Sequence, residues 1–162
     1  MEDEFSYDVA NAVKNRSNSL RYSYTVYKIH VTKSASDYNQ GRMNGQLLAQ
    51  KFVVPNVIKN KPTFVFDIHE NHGASSGYKY YRFLYPISKG AYTLGIARFI
   101  TYRIPSLVIY TPPNPTSPQY VTGKIANAGI PAIIRETYHF DSASKKLSDA
   151  RTFVNVVDNT LF

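Results

Sequence analysis

Two short stretches of the chain each begin with an apolar run and finish with ionisable side chains. They are Phe64–Gly73 and Ile130–Tyr138. The first carries Asp67 and His69, and the second carries Glu136. Each apolar run is too short for a helix, is rich in strand-forming residues and follows or contains a proline, so each predicts a buried strand. The polar side chains then fall at the strands' carboxyl ends, where open α/β sheets place ligand sites.

The carboxylates of the chain are concentrated in these stretches. Between Val9 and Phe140 the sequence has four carboxylates, Asp37, Asp67, Glu70 and Glu136. In an extended segment Asp67 and His69 project to one face. Asp67 could therefore orient His69 as an outer-shell partner, leaving His69 to offer a neutral nitrogen to a metal. The alternative is a hydrogen-bonded histidine at a strand end. A small local metal site formed by His69, Glu70 and His72 is a further possibility.

The second stretch offers a candidate general base. Glu136 could be a partly desolvated base that takes a proton from a metal-bound water, or a strand-end carboxylate paired with a cation such as Arg135. Tyr138 could donate to an oxyanion or simply pack. Arg42 and Asn44 lie where a loop turns into a helix, and their guanidinium and amide could grip a substrate carboxylate. Arg42 could equally be a surface charge.

Length and composition limit the class of protein. The 162 residues predict one domain, 1–162, and no apolar run is long enough for a membrane span. The net charge of +8 is spread along the chain, so we expect no nucleic-acid partner. The chain lacks cysteine, which excludes thiolate chemistry, and its acidic start is unlike an export signal. A cytoplasmic location is the default expectation.

Periodicity predicts alternating helices and strands. Apolar spacing indicates helices over Asp3–Asn15, around Met43–Phe52 before Pro55, around Tyr92–Ile100, over Gln119–Asn127 and from about Leu147. Alternation indicates strands at Arg21–Val31 and Tyr78–Pro86, with a short one at Leu107–Tyr110. With the two motif strands, these predict an α/β fold: a mostly parallel or mixed sheet of about five strands with helices on both faces.

The combination of motifs resembles the zinc carboxypeptidases and their relatives, the succinylglutamate desuccinylases and aspartoacylases. The shared features are a strand ending Asp-x-His, a preceding segment bearing Asn and Arg, and a late strand ending in Glu. The resemblance implies that His69 is a zinc ligand, that Glu136 is the general base and that Asp67 supports His69 from the second shell. It also implies that Arg42 and Asn44 contact the carboxylate of a peptide or N-acyl amino acid substrate.

One family motif is absent. The family's first two zinc ligands come from a His-x-x-Glu motif after an earlier strand, and none of the four histidines is followed by that pattern. Because the motif's Glu begins a helix, the resemblance assigns Glu2 as the surviving ligand and implies a chain truncated inside the motif, or a degenerate one. The family's first strand would then be missing, and another copy of the chain, as a homo-oligomer, could fill the gap.

Two functions follow from the sequence. The first is a zinc-dependent, hydrolase-like domain that cleaves a peptide or N-acyl amide bond and is incomplete or inactive as this chain. The second is a non-catalytic domain that binds peptide or glycan through its tyrosines and the proline-rich loop 111–118.

Overall fold

The computed structural model describes residues 4–34, 36–88, 90–113, 115 and 117–162. Seven helical segments and four strands follow one another along these residues. They are α1 (Glu4–Asn15), α2 (Tyr38–Leu48), α3 (Val54–Asn60), β1 (Val65–Asn71), β2 (Phe83–Pro86), α4 (Ala91–Arg103), β3 (Val108–Ile109), α5 (Ser117–Tyr120), α6 (Thr122–Asn127), β4 (Ala132–Tyr138) and α7 (Ala143–Asp158). A π-helical turn, Ala49–Val53, joins α2 to α3, and a 3₁₀ turn, Gly73–Ser76, follows β1.

The strands form one mixed sheet in the order β1-β4-β2-β3. β4 is parallel to β1 and antiparallel to β2, and β2 is parallel to β3. The two motif strands are therefore neighbours. The α/β class and the mixed sheet are confirmed.

Helices cover both faces of the sheet. On one face Phe66 and Ile133 pack with α4 and α7 in the largest core cluster. On the other face Val65 and Ala132 pack with α3 and α6. Alternation along β1 and β4 sends successive side chains to these two faces, so Val65 and Ala132 enter one cluster while Phe66 and Ile133 enter the other.

The prediction of five strands is wrong, because the described residues form four. The segment Arg21–Val31 has no strand partner in the described structure and takes an irregular conformation. Its alternating sequence satisfies the side-chain requirement of a strand. A strand also needs a neighbour for its backbone groups, and sequence alternation alone does not supply one.

Three element boundaries also differ from the predictions. The second helix does not stop before Pro55, because the π-helical turn precedes a new helix, α3, in whose first turn Pro55 lies. A proline is tolerated there, since the first-turn N–H groups have no partner within the helix. β1 continues to Asn71, so its polar residues lie within the strand, and β2 begins only at Phe83. The other helices lie close to their predicted positions.

A buried carboxylate on the last helix fixes the start of the irregular segment. Asp158 accepts hydrogen bonds from the backbone N–H groups of Arg21 and Tyr22, at 2.9 and 3.2 Å, and from the Tyr24 hydroxyl at 3.0 Å. Burial alone would raise the pKa of Asp158, but these hydrogen bonds outweigh it and hold the pKa below the ordinary 3.8. The ionised carboxylate therefore ties the segment to α7.

We predict that Asp158→Asn lowers the free energy of unfolding at pH 7 by about 2 kcal/mol, since buried N–H groups lose a charged acceptor. For a chain of this size that loss corresponds to a fall in melting temperature of roughly 4–8 °C. Because the folded pKa is depressed, the wild-type advantage is present above pH 3.8 and is lost as the pH falls through the folded pKa.

Thermal denaturation followed by circular dichroism from pH 7 to pH 3 measures this effect. Asp37→Asn is the matched control, because Asp37 caps the exposed start of α2 by accepting from the Gln40 N–H, and asparagine is an equally good N-cap residue. We expect that control to change stability by less than about 0.5 kcal/mol. Equal effects of the two substitutions would contradict the role of Asp158.

Candidate functional site

The site is built on the parallel pairing of β1 with β4. In this register His69 is the partner of Glu136, and Asn71 is the partner of Tyr138. Paired residues of adjacent strands point to one face, and so do residues two apart on a strand. Asp67, His69, Asn71, Glu136 and Tyr138 therefore share one face of the sheet at its carboxyl end, which we call the site face.

His69 is held by the carboxylate two residues before it. Its Nε2 lies 2.9 Å from Asp67 Oδ1, and both side chains are about three-quarters buried. A carboxylate at this distance fixes the ring orientation and favours a proton on the contacting nitrogen. The predicted support of His69 by Asp67 is therefore present in the geometry.

Glu136 is buried among polar groups. Burial raises the pKa of its carboxyl above the ordinary 4.5, while the charges of His69 and Arg42 and a hydrogen bond from Asn71 act in the opposite direction. The net result is a pKa above the ordinary value. Glu136 and His69 lie on the same face of the sheet, because they are partners in the register of β1 and β4.

Arg135 is not the partner of the Glu136 carboxylate in the described structure. It points to the opposite face, where its guanidinium lies 4.9 Å from the centre of the Phe5 ring and 5.7 Å from that of Phe153. Its Nη1 donates to the backbone oxygen of Glu136. Complete burial lowers the pKa of Arg135 to about 10. The alternative of a simple Arg135–Glu136 ion pair is therefore wrong.

Asn71 is the site residue that the sequence reasoning missed. Its Nδ2 lies 3.2 Å from Glu136 Oε2 and 3.0 Å from both the Tyr81 and Thr137 carbonyl oxygens. Its Oδ1 accepts the Gly73 N–H at 2.8 Å. Asn71 follows His69 by two residues, as His69 follows Asp67. That spacing could have identified Asn71 from the sequence, because residues two apart on a strand share a face.

Arg42 and Asn44 have different surroundings. Both lie inside α2, which begins at Tyr38, and not at a loop-to-helix start as predicted. The charge of Arg42 acts on Glu136, which places its guanidinium near the site face. Asn44 instead donates from Nδ2 to the Lys33 carbonyl at 2.9 Å and so fastens the preceding loop. The structure thus brings Arg42 toward the site and gives Asn44 a local contact.

Tyr138 stacks on Tyr81 with ring centres 4.6 Å apart and planes at 15°. Gly73, at φ +65°, passes beneath this pair, and a Cβ there would come within 2.3 Å of the Tyr81 ring. Only glycine meets both the conformation and the close approach. The glycine-containing turn after β1 therefore seats the two rings at the edge of the site.

Glu70 points away from His69, to the opposite face. It accepts the Phe5 N–H at 2.8 Å, and its other oxygen lies 2.8 Å from His139 Nδ1 and 3.4 Å from Lys146 Nζ. The His72 ring packs 4.7 Å from that of His139. A local metal site of His69, Glu70 and His72 is therefore wrong, because the pleat separates His69 from Glu70.

The described residues do not supply a full ligand set for zinc. A catalytic zinc site takes three protein ligands, and no group of three or more histidine or carboxylate side chains suited to a metal occurs in the described part of the chain. His69 can be one donor. Glu2, the other predicted ligand, lies outside the described residues, as do residues 114 and 116 of the proline-rich loop.

Comparisons with protein-family models, with curated proteins and with solved structures find no match. The family resemblance therefore rests on the motifs and their spacing alone. Among the described helices, none is long and apolar enough to cross a membrane.

We predict that Glu136→Gln raises the melting temperature at pH 8 by roughly 2–4 °C, because it removes a buried charge. The amide can still accept the hydrogen bond from Asn71. Since burial raises the folded pKa of Glu136, wild-type stability falls as the pH rises from 4.5 through that pKa. The gain should therefore vanish below pH 4.5.

Melting curves of the two proteins between pH 4 and pH 8 test this prediction. Glu70→Gln serves as the matched control, because Glu70 is equally buried but contacts Lys146 and His139. That substitution should lower the melting temperature instead. A loss of stability in Glu136→Gln at pH 8 would contradict the prediction, because it would show that the charges of His69 and Arg42 outweigh the cost of burying the Glu136 carboxylate.

Proposed function

We propose that the site face is the catalytic centre of a hydrolase-like domain of the zinc carboxypeptidase and succinylglutamate desuccinylase-aspartoacylase type. It would cleave a peptide or N-acyl amide bond. The observation that carries the proposal is the pairing of His69 with Glu136 across parallel strands, at the carboxyl end of the sheet, with Asp67 on His69. A histidine and a buried carboxylate on one face are suited to activating water.

In this proposal Glu136 is the general base. Its raised pKa allows it to take a proton from water and to pass that proton to the leaving amine. Arg42 binds the carboxylate of the substrate. The effect of its charge on the pKa of Glu136 supports this role. The Tyr138 hydroxyl is the candidate donor to the carbonyl oxygen that becomes negatively charged.

In this proposal His69 is a ligand of a zinc ion. When bound, the metal would polarise the amide carbonyl and lower the pKa of its water. The described residues provide a single histidine donor for it, so the site is incomplete over that part of the chain, and no catalytic step is assigned through the metal. The role of Glu2 as a second ligand is part of the same proposal.

Zinc titration calorimetry tests the metal assignment. We expect weak, micromolar binding by the wild-type chain, since two ligands bind zinc less well than three. Binding should be lost in His69→Ala and kept in His72→Ala, because His72 packs on His139 away from the site face. Equal binding by His69→Ala and the wild type would contradict the assignment of His69.

A non-catalytic binding domain for peptide or glycan is the second candidate. The stacked Tyr81 and Tyr138 rings beside Glu136 favour it, because paired aromatic rings offer a flat surface for a sugar or an apolar side chain. Turnover of N-acyl amino acids in the presence of zinc separates the two functions. The hydrolase loses amine release in Glu136→Gln, whereas a binding domain shows no release and loses ligand affinity in Tyr81→Ala.

A further inference from the structure

A polar cleft lies between α1 and α7, on the face of the sheet opposite to the site face. The two helices run in the same direction, since Glu4 pairs with Lys146 near their starts and Val13 packs with Val154 further along. The cleft has a volume of about 450 Å³, and small-molecule sites typically occupy about 300–1000 Å³. We call it the α1–α7 cleft, and it is lined by Ala12, Asn15, Arg16, Arg151, Thr152 and Asn155.

Helical spacing brings the polar side chains of the cleft together. Ala12 is buried and forms the floor, whereas the other lining residues are half-buried or exposed. Asn15 follows Ala12 by three residues and so lies on the same side of α1, and Arg16 is the next residue along the chain. Arg151 and Asn155 are four residues apart on α7 and share a side of that helix.

Neither arginine of the cleft forms an ion pair with a carboxylate among the residues that the structure describes. The charge of Arg16 lowers the pKa of Asp158, but the Asp158 oxygens already accept from two backbone N–H groups and a tyrosine hydroxyl. Arg151 has only a minor effect on the pKa of Asp8, which burial holds above the ordinary 3.8. Two positive charges therefore line the cleft without a carboxylate bound to either of them.

The turn after α1 holds Arg16 in place. Its carbonyl oxygen accepts from the Ser19 N–H at 2.8 Å, the Ser19 hydroxyl at 3.1 Å and the Leu20 N–H at 3.1 Å. The residues that follow are tied to α7 through Asp158. The Arg16 N–H also donates to the Val13 carbonyl at 3.2 Å, which covers part of the negative end of α1. A group on a fixed backbone loses less conformational freedom when it binds a ligand.

We propose that the α1–α7 cleft binds a small phosphorylated molecule, with its phosphate group between Arg16 and Arg151. A phosphate monoester carries a charge of about −1.5 to −2 at pH 7, which matches the two guanidinium groups. The planar guanidinium also binds phosphate oxygens through paired hydrogen bonds. The site is separate from the site face, because the sheet lies between them.

The rest of the cleft indicates which kind of molecule carries the phosphate. A phosphate group alone is too small to fill about 450 Å³. The side chains of Asn15, Thr152 and Asn155 form no hydrogen bond with another described residue, and their amide and hydroxyl groups both donate and accept. Over the described part of the chain, Ala12 is the one apolar residue of the lining. The ligand is therefore a polyhydroxylated phosphate ester, of the sugar phosphate class.

Titration calorimetry with glucose 6-phosphate at pH 7.5 tests the proposal. Glucuronate is the matched probe for charge, because it has a similar ring but carries a single negative charge, and inorganic phosphate is the matched probe for the sugar. We expect saturable binding of glucose 6-phosphate and at least about tenfold weaker binding of each matched probe. Equal binding of glucuronate, or no binding of glucose 6-phosphate, would overturn the proposal. Equal binding of inorganic phosphate would overturn the assignment of a sugar.

Substitutions at the cleft locate the binding. Arg16→Gln and Arg151→Gln should each weaken glucose 6-phosphate binding about tenfold, because each removes a charged donor. Asn155→Ala should weaken it without affecting inorganic phosphate. Arg98→Gln is the matched control, since Arg98 is an exposed arginine of α4 outside the cleft, and it should leave binding unchanged.

Circular dichroism melting curves show which variants remain folded. Arg151→Gln changes an exposed side chain, so it keeps the test decisive if Arg16→Gln weakens the fold through Asp158. If Arg98→Gln reduces affinity as much as the cleft variants do, the ligand is attracted by the net charge of +8 in general and the assignment to the cleft is wrong.

Discussion

The parallel pairing of β1 with β4 is the constraint on which the site depends. It joins residues 67 positions apart in the chain, and its register sets His69 beside Glu136. Because side chains alternate, a slip of one residue would bring Glu136 opposite Ile68 or Glu70 on the other face. The core enforces the register, since Val65 and Ala132 must meet α3 and α6 while Phe66 and Ile133 meet α4 and α7.

The same alternation separates two groups of charges. Asp67, His69 and Glu136 lie on the site face, whereas Glu70 and Arg135 lie on the opposite face, against α1 and α7. Glu70 joins α1, α7 and the end of β4 through its contacts with Phe5, Lys146 and His139. This network holds α1 against the sheet without entering the site.

An alternating sequence does not by itself make a segment a strand, as residues 22–31 show. Residues 22–31 alternate as a strand does, and they run along β1 between anchors at Asp158 and α2. They remain irregular in the described structure because backbone groups, and not side chains, decide whether a strand forms. A cavity of about 1080 Å³ lies at this edge and is lined by Asp67 and His69, so the edge of β1 and the site belong to the same part of the molecule.

The amino-acid sequence by itself determined the α/β class, the positions of most helices and the two motif strands, because these depend on local periodicity and on proline and glycine. It also determined that Asp67 and His69 share a face, since that follows from the pleat. Only the tertiary structure decided which strands are neighbours. It also decided that the Arg135 side chain lies on the face opposite to Glu136 and that Asn71 donates a hydrogen bond to the Glu136 carboxylate. Those outcomes depend on register and burial between segments far apart in the chain, and local sequence does not encode a pairing partner.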